Sequence, residues 1–134
     1  MLYRHVTNTY RIQKDRVIVV PVKLSGPNGE KWMQAIFDTG ATYSMFPPAV
    51  IRAIGCYPTQ IEKTVKIITS SSVEYVPMLT IPRLELFNRS LENIVVVSHL
   101  LPPSTPAQGL IGISTLNRFD YELNFSLSEL VIKK

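Results

Sequence analysis

The chain has 134 residues, enough for one domain around one core, and 46% are hydrophobic against 18% charged, a balance that excludes a disordered chain. The formal net charge of +4 is mild, and its lysines and arginines are scattered without a stripe interleaved with aromatics, which argues against a nucleic-acid partner. No apolar run approaches the length of a membrane span, and Met1-Leu2-Tyr3-Arg4-His5 is too polar for a signal peptide, so no membrane partner is expected.

In chain order, residues 1–16 read as an N-terminal arm or extension made basic by Arg4, Arg11, Lys14 and Arg16, and residues 17–134 as the domain proper. Val17 to Leu24 is rich in β-branched residues and predicts a strand. Ser25-Gly26-Pro27-Asn28-Gly29 supplies the turn, and Glu30 to Phe37 returns as the second strand of a hairpin. Pro47-Pro48 stops the extended chain, and Pro48 opens a short helix to about Ile54, ended by Gly55. Thr64 to Ile68 and Val73 to Ile81 predict two strands joined by a serine-rich tip. Arg83 to Phe87 and Leu91 to Ser98 predict another hairpin across Asn88-Arg89-Ser90. Leu101 to Gln108 is a proline-rich loop. Ser114 is positioned to cap a short helix through Arg118, and Phe119 to Phe125 with Glu129 to Ile132 closes the chain as a hairpin. The pattern is that of an all-β, barrel-like domain with two short helices.

Cys56 is alone and can form no internal disulfide, which fits a reducing, cytoplasmic setting and a buried structural thiol. His5 and His99 are far apart with no acid or cysteine at metal-ligand spacing, so neither a metal nor another cofactor is expected. Ser70, Ser71 and Ser72 lack the G-x-S-x-G elbow of a serine nucleophile.

The chemistry concentrates in Ala35-Ile36-Phe37-Asp38-Thr39-Gly40-Ala41-Thr42. One carboxylate ends an apolar strand, where burial is costly unless the group is paired or can take up a proton. Gly40 allows a sharp loop, and Ala41 leaves room for a ligand close to the main chain. About seventy residues on, Gly109-Leu110-Ile111-Gly112-Ile113-Ser114-Thr115-Leu116 carries apolar residues and a glycine into a short helix. Together, Asp38-Thr39-Gly40-Ala41 and this second signature resemble the retropepsin-like aspartic protease family, over roughly residues 17–134. Thr42 and Ile113 stand where many retroviral members have an acid and an arginine, which directs the resemblance toward cellular or bacterial relatives. The tip Thr69 to Ser72 has serines where a glycine is common.

The resemblance implies a closed barrel whose active site lies on a homodimer two-fold axis. Asp38, Thr39 and Gly40 would be catalytic, with Thr39 bonded across the axis and Gly40 lining the substrate backbone. Ala41, Ile36, Phe37, Ile111 and Ile113 would form the substrate walls, and Ser70, Ser71 and Ser72 the tip of a closing flap. The residues also argue for a dimer directly. Peptide hydrolysis by carboxylates alone needs two, and the chain has one such loop. Two carboxylates ~3 Å apart at an effective dielectric of ~20 repel by about 5 kcal/mol, so a symmetric pair would share one proton. The expected function is therefore an aspartic endopeptidase acting on a peptide or protein substrate. The alternative is a catalytically weak module of the same fold that dimerises and holds peptides.

Overall fold

The computed structural model describes residues 8–13, 15–57, 64–68 and 71–133. Among these residues, ten strands and two short helices follow one another as β1 (Asn8–Arg11), β2 (Val19–Gly26), β3 (Gly29–Phe37), β4 (Ser44–Phe46), α1 (Pro48–Ala53), β5 (Thr64–Ile68), β6 (Val73–Leu86), β7 (Arg89–Ser98), β8 (Gly109–Ile111), α2 (Ile113–Leu116), β9 (Asp120–Asn124) and β10 (Glu129–Lys133).

Six of these strands form a ring. The order β2-β3-β8-β4-β7-β6 closes because β6 also pairs with β2, from Val22 opposite Leu86 to Ser25 opposite Arg83. At that seam Lys23 reaches Glu85 at 3.1 Å and Glu30 at 3.4 Å, bracing β2 between both of its neighbours. Of the seven strands of this sheet, β5 alone lies outside the ring, paired to the first half of β6. A separate sheet, β1-β10-β9, brings the two ends of the chain together, with Asn8 to Arg11 opposite Ile132 to Glu129.

The hairpin turns follow the sequence chemistry. β2 and β3 meet at Gly26 opposite Gly29, with Pro27-Asn28 between them and Gly29 at φ 136°. The Asn28 N–H donates to Ile54 O at 2.9 Å, seating this turn on the end of α1. Helix α1 begins on Pro48 and ends before Gly55, whose φ of 85° only glycine adopts cheaply.

Two differences from the expected elements have local causes. The strands expected at residues 73–81 and 83–87 are one strand, β6, running through Pro82. Its partner accommodates the missing N–H, because Pro82 and Asn93 drop out of the ladder between Ile81–Ile94 and Arg83–Glu92, and Asn93 takes φ 55°. The second hairpin turns on Phe87-Asn88, both at positive φ, as a two-residue primed turn requires. A left-handed phenylalanine is strained, and its ring is held in place by others: Tyr10 and Phe119 each lie 5.3 Å away between centroids. With Phe37 against Tyr121 at 5.0 Å, this aromatic group fastens the three-stranded sheet to the barrel.

The core is continuous from the barrel into that sheet. Leu24, Phe46, Ile51, Leu84, Ile94, Ile111, Leu116 and Leu130 are all essentially inaccessible to solvent. Among the described residues no helix is long and apolar enough to cross a membrane.

Candidate active site

Asp38 is the first residue after β3, and its loop is fastened from both sides. The Phe37 N–H donates to Ile18 O at 2.8 Å and the Asp38 N–H to Ile111 O at 2.9 Å, so Ile18, just before β2, and β8 fix where the strand ends. The Gly40 N–H then donates to the Asp38 carboxylate (Oδ1) at 2.8 Å, and the Ala41 N–H closes the turn on Asp38 O at 3.3 Å. A backbone donor two residues on thus orients a half-exposed carboxylate without an ion pair among the described residues. Thr39 and Gly40 are exposed at the loop tip, and Ala41 is half-buried behind them.

The second signature supports this loop. β8 lies between β3 and β4, parallel to the first and antiparallel to the second, with Met45 opposite Leu110. The Ile113 N–H donates to Ala41 O at 2.8 Å and the Ser114 N–H to Thr42 O at 2.9 Å, so the start of α2 is stitched to the Asp38 loop. Gly112 is where the two segments cross: a Cβ there would lie 2.6 Å from Tyr43 O and 2.7 Å from Ala41 O, both backbone atoms. Only glycine fits. Gly109 is similarly confined, since a Cβ would lie 2.7 Å from the Phe46 ring.

Ser114 does not cap α2. The helix starts one residue earlier, on Ile113, with Gly112 at the cap position. The Ser114 hydroxyl instead accepts the Ser44 N–H at 3.1 Å and donates to Val95 O at 3.3 Å. Its neighbour Thr115 is buried with Ser44, hydroxyl to hydroxyl at 2.6 Å, while Ser44 Oγ also accepts the Gly112 N–H at 3.0 Å. These hydroxyls join β4, β8 and α2 beneath the loop, where Thr42 and Ile113 offer no ion pair to do so.

The expected substrate walls divide by face. Ile36 is half-buried and stands opposite Leu110, and by strand alternation Ile36 shares its face with Asp38. Ile113 is 40% exposed at the start of α2. Ile111 and Phe37 turn the other way, Ile111 fully buried in the core and Phe37 packed against Tyr121 and Phe87. Leu110, not Ile111, therefore occupies the open face beside Ile36. An apolar run of two residues does not reveal which one points outward; only the pairing with β3 does. Ser71 and Ser72 are exposed in the connection between β5 and β6, directly before Val73, and Ser70 lies outside the described residues.

Similarity to known proteins bears on the family and the fold. The protein-family model described as "gag-polyprotein putative aspartyl protease" matches residues 26–118, which include both signatures. A solved structure of a retropepsin-like aspartic protease from Rickettsia conorii is similar with a TM-score of 0.69, at 17% sequence identity, over 98% of this chain and 96% of that one. No curated protein matches the chain. With both signatures inside the matched region and the whole barrel shared, the chain belongs to the retropepsin-like family of aspartic proteases.

Proposed function

We propose that the chain is an endopeptidase that works as a homodimer, the Asp38 of each protomer meeting its symmetry mate at a two-fold axis. The observation that carries this reading is the placement of Asp38: a half-exposed carboxylate, oriented by the Gly40 N–H, on a loop whose tip residues Thr39 and Gly40 are open to a second copy. A single loop of this kind per chain supplies one carboxylate, and two-fold symmetry supplies the other.

In such a pair one carboxylate is ionised and one protonated. The ionised group takes a proton from a water held between them, and the water oxygen attacks the peptide carbonyl carbon. The protonated group gives its proton to the carbonyl oxygen as the C=O π bond breaks, leaving a neutral tetrahedral diol. The first carboxyl group, now protonated, gives its proton to the amide nitrogen while the second, now ionised, takes one from a diol hydroxyl; the C–N bond breaks as the C=O bond re-forms, releasing a carboxylic acid and an amine. Thr39 bonds across the axis, Gly40 and Ala41 leave room for the peptide backbone, and Ile36, Leu110 and Ile113 form the apolar wall. Ser71 and Ser72 belong to the flap that closes over the peptide.

The test is digestion of a mixed peptide library at acidic and neutral pH by the native chain and by Asp38→Asn. Cleavage between internal residues by the native chain alone is expected. Peptide retention without cleavage would overturn the enzymatic reading in favour of a binding module of the same fold.

A further inference from the structure

A cleft of about 560 Å³ opens between the segment leading from β1 into β2 and the proline-rich loop at Pro106, and its lining residue Ile18 accepts the Phe37 N–H just before Asp38. Its lining is apolar at Val17, Ile18 and Val19 and charged at Arg11 and Arg16. The cleft continues the face of Asp38. Val19 stands opposite Ile36, two residues before Asp38, and residues opposed across an antiparallel pair share a face. Val17 and Val19 are 54% and 37% exposed, so this apolar surface is open to a ligand.

Among the described residues, the two guanidiniums are the charged part of the lining. Asp15 adjoins Arg16 in sequence, and Glu129 faces Arg11 in the β1–β10 register, yet neither makes an ion pair with either arginine. Arginine's planar fork matches a carboxylate with two parallel hydrogen bonds. A peptide backbone brings no net charge into such a cleft, so the complementary group is an acidic side chain.

We propose that this cleft selects peptide segments carrying a glutamate or aspartate to one side of the bond presented to Asp38, with Arg11 and Arg16 receiving the carboxylate and the valines the neighbouring apolar side chain. This rests on the protease reading and adds the substrate class.

The experiment uses Asp38→Asn, which keeps the loop's shape, and end-capped fluorescent octapeptides with an apolar centre. Glutamate is placed in turn at each flanking position, and each peptide is compared with its glutamine counterpart by fluorescence anisotropy. At one or two positions on the same side, glutamate should tighten binding about five- to tenfold, the size of a partly exposed charge-assisted contact. The gain should vanish with Arg11→Gln and Arg16→Gln, while binding of the glutamine peptides, which reports an intact cleft, stays the same. Equal binding of glutamate and glutamine peptides, or a preference that survives both arginine changes, would overturn the proposal. If the preference appears but the native chain cleaves none of the peptides, the cleft assignment stands and the protease reading fails.

Discussion

The Ser44 hydroxyl lies 2.6 Å from the hydroxyl of Thr115, and both side chains are fully buried. The same Ser44 oxygen accepts the Gly112 N–H, so one small side chain ties β4 to β8 and to α2 directly behind the Asp38 loop. Ser44→Ala should leave a buried N–H and the Thr115 hydroxyl without their partner, at a cost of about 1–3 kcal/mol. Thr115→Val keeps the shape and leaves the Gly112 bond in place, so it should cost less, and the double variant should cost less than the two together. Thermal or urea unfolding of the three variants checks this. Strict additivity would show that the two hydroxyls do not act as a unit.

Much of this site was legible because its polar punctuation is strong. Asp38-Thr39-Gly40-Ala41 and the second signature, Gly109 to Leu116, marked the two segments that the hydrogen bonds now join. The hairpin at Pro27-Asn28 and the helix from Pro48 to Gly55 also follow from turn and cap chemistry. What sequence did not give was pairing. The three-residue strands β4 and β8 are too short to show a period, and β1 forms only because β10 lies beside it. For the same reason Ile111 reads as a substrate wall in the sequence while the pairing with β3 puts Leu110 beside Ile36 and buries Ile111, and Ser114 reads as a cap while its hydroxyl is used by Ser44 and Val95.

The two glycines of the site should respond differently to alanine. At Gly112 the added Cβ meets two carbonyl oxygens at 2.6 and 2.7 Å, and neither can move without parting the loop from α2. Gly112→Ala should cost at least the roughly 1–3 kcal/mol typical of overpacking and lower the folded yield. At Gly40 the Cβ meets only Asp38 Oδ1, at 3.1 Å. Gly40→Ala should therefore fold nearly normally and act on the carboxylate's orientation, seen as lost hydrolysis with an unchanged melting temperature. Equal destabilisation by the two changes would contradict this contrast.

Cys56 is buried, and burial pushes its thiol above the ordinary cysteine value. The native chain holds this thiol protonated where an unfolded chain would already be losing the proton. Stability linked to this group is therefore complete below the ordinary thiol pKa and declines as pH rises from there toward the raised native value. Iodoacetamide should label Cys56 far more slowly in the native chain than in urea at the same pH. Cys56→Ser should flatten the alkaline fall in melting temperature. Rapid native labelling at neutral pH would show the thiol to be accessible.

Asp38→Asn removes the ionisable group and keeps its size and its Oδ1 acceptor for the Gly40 N–H. The variant should melt within about 1 kcal/mol of the native chain, as expected for a half-exposed substitution that keeps its hydrogen bond. Its hydrolysis should fall to background at every pH. Residual cleavage in material free of other proteases would move the catalytic assignment away from Asp38.

Thr39 is exposed at the tip of a loop that is fastened through Asp38 to β8 and through Ala41 and Thr42 to the start of α2, so its hydroxyl is available to a second protomer. If the active centre is built between two chains, activity per chain must fall once the protein is diluted below the dimer dissociation constant. Thr39→Ala should shift that dilution curve to higher concentration, by about fivefold for a lost hydrogen bond of ~1 kcal/mol and further if a buried group on the partner loses its mate. At saturating protein the variant should recover most of its hydrolysis, because the carboxylate itself is untouched. Sedimentation of the native chain across the same concentrations connects the two measurements: loss of activity should track loss of the dimer. A fully active species sedimenting as a monomer would exclude an active site shared between chains.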